Sequence, residues 1–478
     1  MTATAARPAS GHLSPAVQYA LLAGPLLSML DSSVVNVAIE PIARQLHASL
    51  PLAQWTVSGY LLALGTGLAA TAYLSRRLGT LRLYQASVTA FTITSVVCAL
   101  APTVQLLLLA RVAQGLAAAP LVPMAMSMLF GKGESARSMP AVAGMLLFLG
   151  PALGPSVGGA LIGAAGWRSI FLINLPTGVA AVLAVRRIPA GLAPPRLEQT
   201  RLDVAGLLLL AAGLALLLLG ITVAGTARWT ATGSWLPMLL GAGLLAGYTR
   251  WARRAAEPAL NLALARSRQA ALALALCAAA SVATFSVVFL LPVFVQSVQG
   301  HSPLGAGLAM LPQGIITGLS TTLGQRALRL VTVRTTVATG FALLTAASLG
   351  LLAIGSGTPL SVTAALLAAR SVSIGLVISP LLAVFTGSLG AEELSDASTL
   401  FSICQRIAGS LGVGLIAAIY ARQTAIAGAT TALHQTGLVI AAVAAGGLIA
   451  APLLPAHRNQ MRYRPAARTG CADDGNEA

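Results

Sequence analysis

The chain has 478 residues, of which 56% are hydrophobic and only 9% charged, with a mean hydropathy of +0.84. Soluble domains keep roughly 25% charged residues, so this composition excludes a soluble globular protein and specifies an integral membrane one. The formal net charge of +17 does not indicate nucleic acid, because the basic residues form short clusters between apolar runs and not a stripe with aromatic platforms.

Residues 1–15 lack a basic region followed by a short apolar core and cleavage site, and are read as a polar cytoplasmic tail. The apolar runs beyond are rich in Leu, Ala and Gly and show no strand-length alternation, so helices are the predicted spanning element. Fourteen spans are predicted, near 16–38, 52–73, 83–101, 104–128, 139–162, 169–186, 203–223, 235–252, 270–294, 303–323, 335–354, 359–383, 397–420 and 433–454. With the N-terminus inside, about 22 of the 29 Lys and Arg fall on cytoplasmic segments and about four outside, which predicts that both termini are cytoplasmic. The expected organisation is a six-helix bundle over 16–190, a linker with two inserted transmembrane helices over 191–268, a second six-helix bundle over 269–455, and a cytoplasmic tail over 456–478. The predicted fold class is therefore an all-α membrane protein of two six-helix bundles plus two extra helices between them. Paired bundles around a midplane site are a common transporter plan.

Asp31, in LDSSVVNVA, is the acid that falls inside a span; the other acids fall in loops, tails or helix ends. A carboxylate at the centre of a span costs roughly 2.5–3.5 kcal/mol on insertion scales, so it is a functional candidate by default. Three arginines, Arg111, Arg370 and Arg406, also fall within spans. Counting residues from each span end at about 1.5 Å per residue places Asp31 and Arg111 at comparable depth in the outer half of the membrane. Arginine stays charged in proteins and favours a charged neighbour, whereas hydrocarbon favours the neutral acid. A carboxylate between those influences is expected to load and release a proton; the alternative is a static ion pair that locks two helices together. Further along, GPALGPSVGG repeats Gly150, Gly154 and Gly158 on one helix face, with Pro151, Pro155 and Gly159 in the same stretch. A smooth glycine face admits a close neighbour, and Pro155 is expected to kink the helix, so a conformational role is assigned. Cys98, Cys277, Cys404 and Cys471 show no metal or redox spacing. Lys132, in GKGESAR, is not part of a phosphate-binding loop, because the upstream glycine spacing is wrong. The spans carry no His/Asp/Glu cluster suited to acid–base or metal chemistry, so an enzyme is not expected.

These segments resemble the major facilitator superfamily, and specifically its fourteen-helix drug:proton antiporter branch. LDSSVVNVAI is similar to the branch's first-helix motif, QWTVSGYLLA to the second-helix pattern and RVAQGLAAA to the fourth-helix motif. GPALGPSVGG is similar to the antiporter motif of the fifth helix, WRSIFLINLPTG to the entry into the sixth, and LPVFVQSVQGHSPLGAGLAMLPQG to a signature of the second half. Two departures stand out. The loop after the second helix, Gly-x-Leu-x-Asp-Arg-x-Gly-Arg in the family, has Ala72 at the first glycine and Arg76 at the acid, with Arg77, Gly79 and Arg82 completing the cytoplasmic gate loop. In the family that acid belongs to a charge network holding the outward-open state, a role Arg76 does not take over in the same way. Glu40 stands where the first-helix motif has proline, and is expected at the outer interface.

The resemblance implies export of drug-like or antibiotic amphipathic molecules by alternating access, driven by proton entry, with Asp31 carrying the proton and Arg111 modulating it. The coupling ion is the proton and no cofactor is implied; the partners are the lipid bilayer, protons and a small-molecule substrate, and a monomer is expected. The Arg-dominated, Ala- and Gly-rich usage points to a GC-rich bacterial genome, and the resemblance implies a bacterial cytoplasmic (inner) membrane. Candidate cavity residues are Asn36, Tyr60, Gln114, Phe285, Phe294, Gln296, Gln313 and Arg406, each open also to a packing or interhelical role. Arg370 or Arg406 facing the cavity would favour anionic or phenolic compounds. The alternatives are an exporter of a small metabolite such as an amino acid or sugar, and a non-transporting sensor on the same fold.

Overall fold

A computed structural model describes residues 15–130, 141–188, 202–226, 231–255, 257–387, 389–390 and 393–456, and its regular elements are all helical. In the first half, α1 is Pro15–Val34, α2 Trp55–Leu78, α3 Thr80–Leu100, α4 Val104–Ala118, α5 Leu121–Phe130, α6 Ala141–Ala165 and α7 Asn174–Arg186. A hairpin follows, with α8 Val204–Thr226 and α9 Thr232–Ala252. The second half holds α10 Arg268–Ser297, α11 Pro303–Leu330, α12 Val333–Leu349, α13 Leu360–Thr386, α14 Leu394–Ala427 and α15 Ala429–Ala450.

Continuous helix follows from the solvent: hydrocarbon offers no hydrogen bonds, so each backbone group must be satisfied within its own helix. Hydroxyl caps open several of them, with Thr103, Ser267, Ser302 and Thr332 each accepting from a backbone N–H three residues on. Gly79, at φ 87°, joins α2 to α3 with no loop at all, a backbone conformation that glycine adopts without penalty. Among the described residues, eleven helical spans are long and apolar enough to cross a membrane. Large apolar side chains such as Leu100 and Ile449, 71% and 78% exposed, face outward where a soluble protein would place polar groups.

The predicted span 104–128 stands as one apolar span, Val104–Leu129, whose helix is interrupted between α4 and α5 at Ala119–Pro120, where a proline lacks the N–H that would continue the first helix.

The two halves meet along two seams, α6 against α11 and α2 against α14. Hydrogen bonds between the halves gather at the end of the molecule that carries the α1–α2 connection: Ser156 Oγ donates to Gly307 O (2.9 Å) and Ser410 Oγ to Ser58 O (2.7 Å) across these seams, and Gln296 Nε2 of α10 donates to Val37 O (3.1 Å) beside them. At the opposite end a cleft of about 310 Å³ separates them, bordered by Leu68, Arg76, Met124, Asp203, Asp396 and Leu400. The hydrogen-bonded end also holds a cleft between the halves, about 740 Å³ and bordered by Glu40, Ile162 and Trp167 on one side and Gln296, His301 and Pro303 on the other. The α8–α9 hairpin seats on the α2–α14 seam, with Trp55 Nε1 donating to Thr222 Oγ1 at 2.7 Å. Asp203 ties its two ends together, accepting from Trp251 Nε1 (2.8 Å) and Ala259 N (3.0 Å).

Candidate functional site

Asp31 lies near the end of α1, one turn before the helix tightens to 3-10 geometry at Val35–Val37, and is 2% exposed. Its Oδ2 accepts from Arg111 Nη1 at 2.5 Å, and its Oδ1 accepts from Gln114 Nε2 at 3.2 Å and Asn174 Nδ2 at 3.0 Å. Helices α1, α4 and α7 thus converge on one carboxylate. Arg111 and Gln114 reach it together because residues three apart share a helix face. Arg111 Nε donates to Thr56 O (2.9 Å) and Nη1 also to Gln114 Oε1 (2.7 Å), while the guanidinium lies 4.2 Å from the Tyr60 ring centroid. That places a delocalised cation on an aromatic face, an attraction that strengthens when both are desolvated. Behind them Ser95 Oγ accepts from Gln114 Nε2 at 2.7 Å and Asn174 Nδ2 at 3.3 Å. Both carboxylate oxygens are occupied by donors, one of them charged, which is what a buried anion requires to remain buried. Asp31 and Asn174 also form the polar floor of a cleft of about 390 Å³ between α1 and α7, whose walls are otherwise mainly apolar, among them Leu27, Leu30 and Ile173.

The glycine face of α6 packs on the turn of α1 that follows Asp31. A methyl group at Gly158 would lie 2.8 Å from Val34 Cγ1 and 3.1 Å from Val37 Cγ2, and one at Gly154 would overlap the Ser33 side chain. Gly159 turns to the second half, where a methyl would come 2.7 Å from Leu304 Cα, and Gly307 faces the Pro155 carbonyl in the same seam. Gly150 and Pro151 lie outside the residues whose side chains are described. Lys132 and Cys471 likewise lie outside the described residues.

Among the gate-loop residues, Arg76 borders the 310 Å³ cleft and its Nε is buried without a partner, Arg77 Nη1 donates to Tyr73 OH at 2.7 Å, and Arg82 is exposed. Glu40, expected at the outer interface, is half-buried and 3.8 Å from Arg44, which stands one turn on along the helix Ile39–Gln45.

Of the candidate cavity residues, Tyr60 and Gln114 belong to the Asp31 cluster and Gln313 accepts from Arg370 Nη2 at 3.3 Å. Asn36 donates back to Ser33 O (3.2 Å), Phe294 is fully buried, Phe285 packs on Gly409, and Arg406 places its stem beside Gly65. Sequence reasoning missed Ser95 and Asn174 as members of the cluster. Asn174 stood in the sixth-helix motif, but nothing in the pattern distinguished Ser95 from the other span hydroxyls.

The profile of the Major Facilitator Superfamily matches residues 21–413. The multidrug resistance protein B homolog of Mycobacterium tuberculosis (strain ATCC 25618 / H37Rv) is 32% identical over 407 residues, covering 83% of this chain and 74% of that protein. The multidrug export protein EmrB of Escherichia coli (strain K12) is 27% identical over 413 residues, 86% and 80% of the two chains. The methylenomycin A resistance protein of Streptomyces coelicolor (strain ATCC BAA-471 / A3(2) / M145) is 29% identical over 410 residues, 84% of each. Among solved structures, a peptide transporter POT in complex with sulfate superposes with a TM-score of 0.65 at 15% identity, covering 94% of this chain and 96% of that one, a likeness of fold alone. The chain is a transporter belonging to the Major Facilitator Superfamily, similar over most of its length to proteins named for multidrug export and antibiotic resistance.

Proposed function

We propose that this protein is a proton-coupled antiporter that exports amphipathic drug-like molecules across a bacterial cytoplasmic membrane, with fourteen crossings and both termini inside. The observation that carries this reading is Asp31, a buried carboxylate on which three helices of one half converge through Arg111, Gln114 and Asn174. Protonation removes its charge. Arg111 keeps its proton and retains Thr56 O, Gln114 Oε1 and the Tyr60 ring, so the guanidinium stays with α2 and α4 while its charged link to α1 is lost.

The turn of α1 beyond Asp31 is the one that Gly154 and Gly158 of α6 pack against, and α6 in turn carries the seam to α11. Movement of α1 on proton loading therefore bears directly on the α6–α11 seam between the halves. With the α1–α2 connection outside, as the charge bias of the loops predicts, that seam's hydrogen-bonded end is external and the cleft beside Arg76 faces the cytoplasm. Relatives named for drug export and antibiotic resistance support an organic substrate.

The test is proton release from inside-out vesicles that contain the purified protein and an interior pH dye. Adding an accepted substrate outside should discharge an imposed interior-acid gradient faster than in protein-free vesicles. Accumulation of substrate that is indifferent to the gradient would refute proton coupling.

A further inference from the structure

The second half holds a counterpart of the Arg111 site that lacks its acid. In each half a serine at a helix N-terminus is followed by proline within two residues: Ser49 before Leu50–Ala53, and Ser302 before α11. Asp31 lies eighteen residues before Ser49, and Thr284 lies eighteen before Ser302. Tyr60 lies eleven after the first serine, and Gln313 eleven after the second. Arg370 completes the set: its Nη1 reaches Thr284 O at 3.5 Å and its Nη2 reaches Gln313 Oε1 at 3.3 Å. It also stands in LLAARSVSIG, as Arg111 stands in LLLARVAQG, with leucines and an alanine before the arginine and a glycine shortly after. The two halves thus present an arginine to equivalent partners. One faces a carboxylate and the other faces the backbone of a threonine.

The consequence is an uncompensated cation. Arg370 is 1% exposed, its Nε has no hydrogen-bond partner, and its two contacts are long bonds to neutral oxygens. Among the described residues no carboxylate pairs with it; Asp31 is held by Arg111. A guanidinium keeps its charge when buried, and a buried charge persists only when something supplies its counterpart. Such a group, placed where the first half keeps Asp31, is shaped for a planar anion that binds two N–H groups side by side.

We propose that Arg370 is the anion subsite of the transport pathway and that the exported molecule is an amphipathic organic monoanion, a carboxylate or phenolate on an apolar body, whose charged group occupies in the second half the place Asp31 fills in the first. This rests on the exporter reading and names its substrate class. Binding of the anion completes the pair at Arg370, while proton loading breaks the pair at Arg111, so the two halves respond to opposite events.

The test uses the full-length purified protein with 1-naphthoate, 1-naphthamide and 1-naphthylmethylammonium, which share a ring system and differ in charge. The wild type should bind naphthoate at least tenfold more tightly than naphthamide, and naphthoate should raise its unfolding midpoint. Arg370→Gln should weaken naphthoate at least tenfold and strengthen the ammonium compound. Without ligand, Arg370→Gln should raise the unfolding midpoint, because it removes an unpaired buried charge, whereas Arg111→Gln should lower it.

Three results would overturn the inference. They are naphthoate affinity indifferent to Arg370→Gln, a wild type that prefers the neutral ring, and an Arg370→Gln protein that unfolds earlier or fails to accumulate while Arg370→Lys accumulates normally. The last would mean that Arg370 has a partner within the protein. A wild type that binds naphthoate through Arg370 but moves no substrate against a proton gradient would fail the exporter reading alone.

Discussion

A double-mutant cycle at Asp31 and Arg111 separates a shared charge cluster from two independent buried groups. Arg111→Gln leaves a 2% exposed carboxylate with two neutral donors, Gln114 and Asn174. Breaking a buried pair from one side costs about 3–5 kcal/mol, because an uncompensated charge remains. Asp31→Asn strands the guanidinium instead, but Arg111 keeps Thr56 O, Gln114 Oε1 and the Tyr60 ring at 4.2 Å. A desolvated cation–aromatic contact contributes about 2 kcal/mol, which brings the expected loss down to about 1–3 kcal/mol. The double variant leaves neutral amides that bond to one another, so it should be less damaged than the two losses added, by about 2–3 kcal/mol. Denaturant unfolding of the detergent-solubilised protein, followed by tryptophan fluorescence, measures all four corners. Losses that add to within about 0.5 kcal/mol would show that the two side chains do not act as a pair.

Gly158→Ala places a methyl 2.8 Å from Val34 Cγ1 and should destabilise by about 1–3 kcal/mol and slow transport at least tenfold, whereas Gly163→Ala on the same helix, with nothing within 4 Å, should change neither in matched vesicle assays. Equal effects at both positions would remove the α1–α6 contact from the mechanism. Arg76 and Asp396, on the first turn of α14, border the same cleft with opposite charges. Arg76→Asp should therefore hinder closure at that end through like-charge repulsion of about 0.2–1 kcal/mol, and adding Asp396→Arg should restore it; cysteine accessibility within the cleft reports both. Failure of the swap to rescue would place the gate charges elsewhere.

The Asp31–Arg111 pair was legible in the sequence because charges inside apolar spans are rare, and counting residues from each span end put the two at one depth. The glycine period of α6 was legible for the same reason: a smooth face has one structural use, though only the structure shows that it meets the turn after Asp31. Ser95 was not, since a hydroxyl in a helix bonds its own backbone as readily as a neighbour, and it does both here. Asn36, Gln296 and Phe294 are cavity candidates by residue type, and which contacts they make, backbone bonds for the first two and full burial for the third, depends on neighbours the pattern does not name. Hydropathy averages could not see the break at Ala119–Pro120, because both sides of it are equally apolar. Nor could composition reveal that Arg370 lacks an acid; that depends on which helices are brought beside it.

Central to this account is that Asp31 couples substrate movement to protons without being needed for the substrate to cross. Asp31→Asn in reconstituted vesicles tests that claim most directly, by comparing uphill efflux under an imposed proton gradient with exchange of labelled for unlabelled substrate at equilibrium. The variant should lose gradient-driven accumulation while exchange continues at a rate within a few-fold of wild type. Uphill transport that survives in Asp31→Asn would contradict it and return the carboxylate to the role of a static lock between α1 and α4.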